Sequence, residues 1–316
     1  MPVSIRGIVC SMVVALLLAG CDATPGPGDD TTARAEQTRL DAEFASRTQV
    51  ARMAREEALT APDGWTGLTG LHRIELRSHF IGSAPGSGIR LSHGPARLGL
   101  LQSGDGAYAF MPERGEAATL DGAPVSGRVT LRSDRDGAPD WLAFDEGRGA
   151  LSIIERGGIA FVRVRHADAE ARRRFAGLEY WPIDRAWRIE ARFTPAAPGT
   201  RIEIANILGL IEPTVSPGTV RFERDGATYT LQALEGADGG LFLILADRTS
   251  GRGSYSAGRY LDTAAPDANG RVVLDFNRAY NPPCAFTAFA TCPLPPDGNR
   301  LDLAIEAGEK AYRPAP

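Results

Sequence analysis

The sequence predicts a mainly β protein, an antiparallel sandwich or barrel, with one α-helix at its N-terminal end. Three observations lead there. Short apolar runs recur from Trp65 onward. Turn signals separate them: Pro85-Gly86, Gly104-Asp105-Gly106, Asp121-Gly122, Gly157-Gly158 and Asp225-Gly226, dipeptides that suit tight connections between antiparallel strands. Before Trp65, residues 33–59 run without glycine or proline. They place Leu40 and Phe44 on one helical face, and Val50 and Met53 on another.

The length of 316 residues, with 43% hydrophobic residues, suffices for a good core and fits one large β domain or two smaller ones. The formal net charge of −4 lacks the basic footprint of a nucleic-acid partner, so none is expected. Lys310 is the only lysine, so an arginine is weaker evidence for anion binding here than usual. G-x-S-x-G, H-E-x-x-H, the P-loop and G-x-G-x-x-G are all missing. The commonest hydrolase, metalloprotease and nucleotide readings lose their support.

Residues 1–20 read as a signal peptide. Arg6 supplies positive charge, and the apolar run from Ile8 to Leu18 is too short to span a bilayer. The ending Leu18-Ala19-Gly20-Cys21 resembles the lipobox of bacterial lipoproteins, which implies cleavage before Cys21 and acylation of it. The expected location is the cell envelope, facing the periplasm and anchored to a membrane by lipid. Asp22 points toward the inner membrane. Cys10 would leave with the peptide. Residues 21–32 form a Pro/Gly/Asp-rich tether with little to bury. The helix over 33–59 follows, with its apolar positions packed on the flank of a β-rich domain spanning 60–316.

Within that domain the expected strands are Leu68–Leu76, Arg97–Leu101, Tyr108–Met111, Arg128–Leu131, Leu151–Ile154, Ile159–Val164, Trp187–Phe193, Arg201–Ala205, Thr219–Glu223, Thr228–Leu234 and Leu241–Leu245. One or two helical turns fall near 167–175. A seam is placed near residue 155. No internal repeat is visible.

The densest local chemistry lies in Asp275–Leu301. Prolines 282, 283, 293, 295 and 296 exclude a central strand or long helix after Tyr280 and predict a rigid, extended loop. Cys284 and Cys292 would form a disulfide, remain buried thiols, or serve as a metal pair, although the spacing matches no zinc knuckle and no histidine is near. Asn277, Tyr280 and Asn281 are candidate ligand-binding residues on this loop. The alternative is that such side chains are consumed by local backbone hydrogen bonds.

The string DFNRAYNPPCAFTAFATCPLPP (275–296) resembles the end of the DUF1684 family, whose members have no settled activity. Upstream, GLTGLHRIE (67–75), RRRFAGLEYWPID (172–184), LFLILADRTSG (241–251) and AGRYL (257–261) also resemble it. The resemblance implies relatives without a secretion signal, in which the two loop cysteines would be thiols or metal ligands. The chain departs from the pattern in three places. An arginine is expected where Ile159 stands, an Arg-Asp pair at Ala246-Asp247, and Thr-Tyr at Ser254-Tyr255. Any anion-binding role of those basic groups is weaker here.

Three functions follow. The first is a small-molecule binding or accessory module, its pocket bounded by the Asp275–Cys292 loop and the strand carrying His72. The second is a hydrolase with His72 as base, Asp247 or Asp275 as orienter and an arginine as anion stabiliser. The third is a structural lipoprotein whose loop is a clamp. Arg163 and Arg165 share a strand face and, with Arg172–Arg174, form a basic cluster that would grip a carboxylate or phosphate. His79, His93 and His166 read as solvated loop residues. Trp65, Trp141, Trp181 and Trp187 read mainly as core.

Overall fold

A computed structural model describes residues 27–314. The segment read as a signal peptide, Cys21 with its expected lipid, and the first half of the stretch read as a tether lie outside the described residues. No helix among the described residues is long and apolar enough to cross a membrane. The chain divides into a segment ending at Glu43 and a compact unit, Phe44–Pro316. The N-terminal helix runs over Pro27–Thr60, so it begins inside the stretch read as tether.

In the compact unit, Phe44, Thr48 and Leu59 are buried, with Arg55 half-buried between them. These positions recur at helical spacing on one stripe. Val50 and Met53 fall on the opposite side and stay exposed at 58% and 56%, so only the Leu40/Phe44 side matches the expected packing face. Arg172 closes the helix end by donating from Nε to the carbonyl of Thr60 at 2.6 Å.

Residues 68–166 build a sandwich of two antiparallel-type sheets. One has six strands, in the order Leu68–Arg73, Ile159–His166, Gly149–Arg156, Leu142–Phe144, Ala118–Leu120, Ala123–Pro124. The other has five, in the order Ile89–Arg90, Ser78–Gly82, Gly99–Gly104, Ala107–Pro112, Val129–Leu131, with one parallel pair. Ile81, Leu101 and Phe110 meet Leu142, Leu151, Ile153 and Val162 between them. Residue 155 lies inside the hairpin Gly149–Arg156/Ile159–His166, paired without a break, so the expected seam near 155 does not exist. The core instead changes identity after His166.

Residues 188–275 carry a second six-stranded antiparallel sheet: Arg259–Thr263, Leu241–Leu245, Ala227–Glu235, Gly218–Arg224, Arg188–Pro195, Arg271–Asp275. It curls until its outer strands touch, a nearly closed barrel. The Asp225-Gly226 turn joins Arg224 to Ala227 as expected, with both turn residues at positive φ (51° and 77°). That geometry matches the right-handed strand twist, and Asp and Gly tolerate it. Several strands beyond the expected set appear. Most are two or three residues long or lie at the sheet edges, too short to show a period.

The segment Leu301–Ala307 alternates buried and exposed like a strand and lays Leu301, Leu303, Ile305 and Ala307 on the barrel core. A fully buried ion pair holds it there. Arg259 meets Asp247 at 2.8 Å, with both side chains essentially inaccessible. Arg259 also donates to the carbonyls of Ile305 (2.9 Å), Glu309 (3.3 Å) and Ala307. Asp247 accepts from the Thr249 amide and hydroxyl and from the Ile305 amide. Asp247 is thus a structural anion, not the orienter of a catalytic histidine. Replacing it with alanine leaves a buried guanidinium unpaired. Asp247→Ala should therefore cost about 3–5 kcal/mol in denaturant unfolding. A loss within the range of a surface substitution would show that the pair does not anchor the segment.

Candidate functional site

The proline-rich loop is a series of short 3-10 turns, Phe276–Arg278, Pro283–Ala285 and Asp297–Asn299, joined by extended chain. Cys284 and Cys292 are joined as a disulfide, with Cα atoms 6.1 Å apart. Of the three alternatives, the structure selects the covalent clip. Each cysteine's amide also donates to the other's sulfur. Among the described residues, no three His, Cys, Asp or Glu side chains are grouped to hold a metal.

The loop's asparagines divide. Asn277 is buried and wholly occupied: its oxygen accepts from the Asp184 amide, and its nitrogen donates to the Asp184 carbonyl and to Asp275. Asp275 caps the turn by accepting from the Asn277 amide at 3.2 Å. Asn277 has no group left for a ligand, and Asp275 spends one carboxylate oxygen on the turn. Asn281 has no exposed surface and donates to the Lys310 carbonyl at 2.7 Å, but its side-chain oxygen has no partner. Asn299 bonds the backbones of Gln232 and Ile244, bridging two strands where their ladder has parted.

One turn of the loop, through Asn277, Arg278 and Ala279, forms a wall of a half-open cavity of about 280 Å³. The facing wall is the helix, through Thr48, Ala51, Arg52 and Arg55; Tyr180, Asp262, Tyr280 and Glu309 complete it. The arginines sit three residues apart, so they share a helical face. Arg55 is fully engaged. It pairs with Glu309 at 3.1 Å, donates to the Asn281 carbonyl at 3.0 Å, and lies 4.7 Å from the Tyr280 ring centre. Glu309, buried at 1% exposure, also accepts from the Asn281 amide at 2.7 Å. Burial pushes the Glu309 carboxyl up, while Arg55 and the Asn281 amide act the other way.

Arg52 is different. It lies 4.2 Å over the Tyr180 ring and donates to the Trp181 carbonyl at 3.1 Å, but no carboxylate among the described residues reaches ion-pair distance and its Nε has no partner. Burial lowers its affinity for the proton. Asp262 is the complement. It accepts from the Tyr280 hydroxyl at 2.8 Å and pairs with no cation among the described residues. The cavity wall therefore carries two cations, Arg52 and Arg278, without an ion-pair partner among the described residues, and the solvent-exposed carboxylate of Asp262, beside two aromatic rings.

His72 is half-buried on its strand, makes no hydrogen bond among the described residues, and is pushed down by burial. It reaches no carboxylate, so the proposed base–orienter pair is not assembled. A second, more open cavity of about 530 Å³ does lie between the disulfide loop and this strand, at Leu68 and Thr69. The histidine on its wall is His93, stacked on His166 with ring centres 4.8 Å apart. His166 is buried, accepts from the Asp168 amide at Nδ1, and therefore donates from Nε2 to Asp145 at 2.9 Å. His79 is also buried and accepts from the Leu76 amide. Neither is the solvated loop residue the sequence suggested. Both hold strand ends by capturing backbone donors.

The basic cluster is dispersed. Arg165 stacks on Trp141 at 3.9 Å, Arg172 closes the helix, and Arg174 pairs with Glu170. Arg163 donates to the Thr291 hydroxyl at 3.3 Å. Of the cavity residues, Arg52, Arg55, Tyr180, Asp262 and Glu309 were missed from sequence. Only the Arg52/Arg55 spacing carried a signal.

Glu309 provides a pH test. Its folded carboxyl is raised above its unfolded value, so its contribution to stability is full below the unfolded value and is lost as pH rises through the raised folded value. Glu309→Gln removes that titration. The thermal midpoint of the native chain should fall relative to the Gln variant as pH rises from about 4.5 upward. Parallel pH profiles would show that Glu309 is not perturbed.

No curated protein matches the chain. Among solved structures, it is similar to an uncharacterized protein of Haloarcula marismortui determined by solution NMR. The identity is 34%, over 44% of this chain and 78% of that one, with a TM-score of 0.37. It is also similar to the N-terminal FHA domain of EssC, a component of the bacterial type VII secretion apparatus. There the identity is 16%, over 30% of this chain and 45% of that one, with a TM-score of 0.24. Residues 173–310 match the family model described as "Protein of unknown function (DUF1684)". This region, which holds the barrel, the disulfide loop and most of the wall of the helix-facing cavity, belongs to the DUF1684 domain family.

Proposed function

We propose that the chain is a small-molecule binding module of the cell envelope, tethered through lipid on Cys21, and that the cavity between the helix and the loop takes a small zwitterion of amino-acid type. The supporting observation is that Arg52, with a buried Nε and no ion-pair partner among the described residues, lines one cavity of about 280 Å³ with the exposed carboxylate of Asp262. A ligand carboxylate would meet the Arg52 fork, and a ligand ammonium would meet Asp262. Tyr180 and Tyr280 would cover the ligand's carbon frame. A cavity of this size suits a small metabolite rather than a peptide. The Arg55–Glu309 pair is the fixed back wall, already satisfied and so not a binding group.

The structural alternative keeps one observation in its favour. Asp275 and Asn277 spend their side chains on the backbone, as a clamp would. Titration of the full chain with free amino acids, read by thermal midpoint, separates the two readings. Binding by one of them should weaken about tenfold or more in Arg52→Met and in Asp262→Asn. If no amino acid raises the midpoint, or the matching amine or carboxylic acid alone binds equally well, the zwitterion reading fails.

The anchor has its own test. Cys21→Ser should move the protein from the membrane fraction to the soluble fraction. A variant that still sediments with membranes would remove lipid on Cys21 from the account.

A further inference from the structure

On another side of the disulfide loop lies a broader cavity of about 940 Å³. The hairpin Arg201–Ala205/Ile211–Val215, the turn at Arg156–Gly158 and residues Thr291 and Pro293 bound it. The hairpin is fixed to the loop by backbone bonds, Ile207 to Cys292 at 2.9 Å and Leu294 to Ala205 at 2.8 Å. Three protein elements therefore meet at this cavity.

Their polar groups are unbalanced. Asn206, 4% exposed and on the cavity wall, accepts from the amides of Leu208 (2.9 Å) and Leu210 (3.2 Å). Those two bonds fix which end of the amide is oxygen, and they leave the Nδ2 donor buried without an acceptor. Arg163 reaches toward the same place from the sandwich. One of its terminal nitrogens donates to Thr291, another wall residue, while its Nε is buried and unpartnered. Having accepted from Arg163, the Thr291 hydroxyl still has its own proton to give. Two wall residues, Asn206 and Thr291, thus keep a proton to donate, and Arg163 stands behind Thr291 with its Nε unpartnered.

The wall itself balances Arg135, Arg156 and Arg201 against Asp134, Glu212 and Glu235, so the excess positive charge is that of Arg163 behind Thr291. Arg163 pairs with no carboxylate among the described residues. Burial and the like charge of Arg156 push its guanidinium down to about 10. Asp134, the nearest compensating anion, is held by Arg156 at 2.7 Å. Glu212 is also occupied, by the Gly157 amide at 2.6 Å. An unpaired cation out of water is unfavourable until an anion joins it. Ile204, Leu234 and Phe242 add an apolar wall for the rest of a ligand.

We propose that this cavity is a second binding site, for the oxyanion of a carboxylate or phosphoryl compound, held by Arg163, Thr291 and Asn206. The planar guanidinium offers its free nitrogens as a fork, and the hydroxyl and amide supply the flanking donors. The site is separate from the zwitterion cavity and shares no wall residue with it.

The test is titration of the full chain with inorganic phosphate and, separately, acetate, at constant ionic strength. The readouts are Trp65 fluorescence and the thermal midpoint. The Arg163 guanidinium lies 5.5 Å from the Trp65 ring centre, so its pairing should alter that emission. A saturable response is expected, weaker by about tenfold or more in Arg163→Met and also weakened in Thr291→Val. The stronger of the two anions identifies the class. Thr291→Val keeps the side-chain volume and decides the matter if Arg163→Met does not fold. Arg52→Met should respond like the native chain. The proposal is overturned if neither anion gives a saturable response, if the site variants respond as the native chain does, or if Arg52→Met abolishes the response.

Discussion

The Arg259–Asp247 pair is the constraint on which the candidate site depends. Both side chains are removed from water, where a lone charge is intolerable, so each fixes the other. Arg259 also binds the carbonyls of residues 305, 307 and 309. That contact turns Leu301–Glu309, which lacks a strand ladder of its own, into a wall of the barrel. Only because this segment is held does Glu309 stand where Arg55 and the Asn281 amide can reach it. One buried ion pair thus positions the next, and the second joins the helix to the proline loop.

The same logic explains why the loop is rigid without being itself the ligand site. Its prolines remove backbone donors, its disulfide clips it, and its buried asparagines substitute for missing ladder bonds. Most of its polarity is therefore spent internally. What it contributes to the cavities is position. Tyr280 faces the helix on one side, and Thr291 faces the hairpin on another. The groups that keep a buried atom without a partner, Arg52 in one place and Arg163 and Asn206 in the other, come from elements distant in sequence. A scaffold that satisfies its own polar groups so widely makes the few exceptions informative.

The sequence by itself determined the β class, the helix, the hairpins and the lack of a central strand after Tyr280. Each of these rests on short-range physics: helical spacing at Leu40 and Phe44, positive φ at Asp225-Gly226, fixed φ at the prolines. Where a seam is expected near 155, the strand pairing runs unbroken, and the Gly157-Gly158 pair serves as the tight turn it is read to be. The sequence misread His79 and His166, whose burial depends on the opposing sheet. The tertiary structure alone decided the sites. Asp247 reads as a free carboxylate until Arg259, 12 residues on, folds against it. Arg52 and Asp262 are 210 positions apart, and nothing local records that they line one cavity. Charge compensation acts through space, so which charges remain uncompensated is settled only when the whole unit has closed.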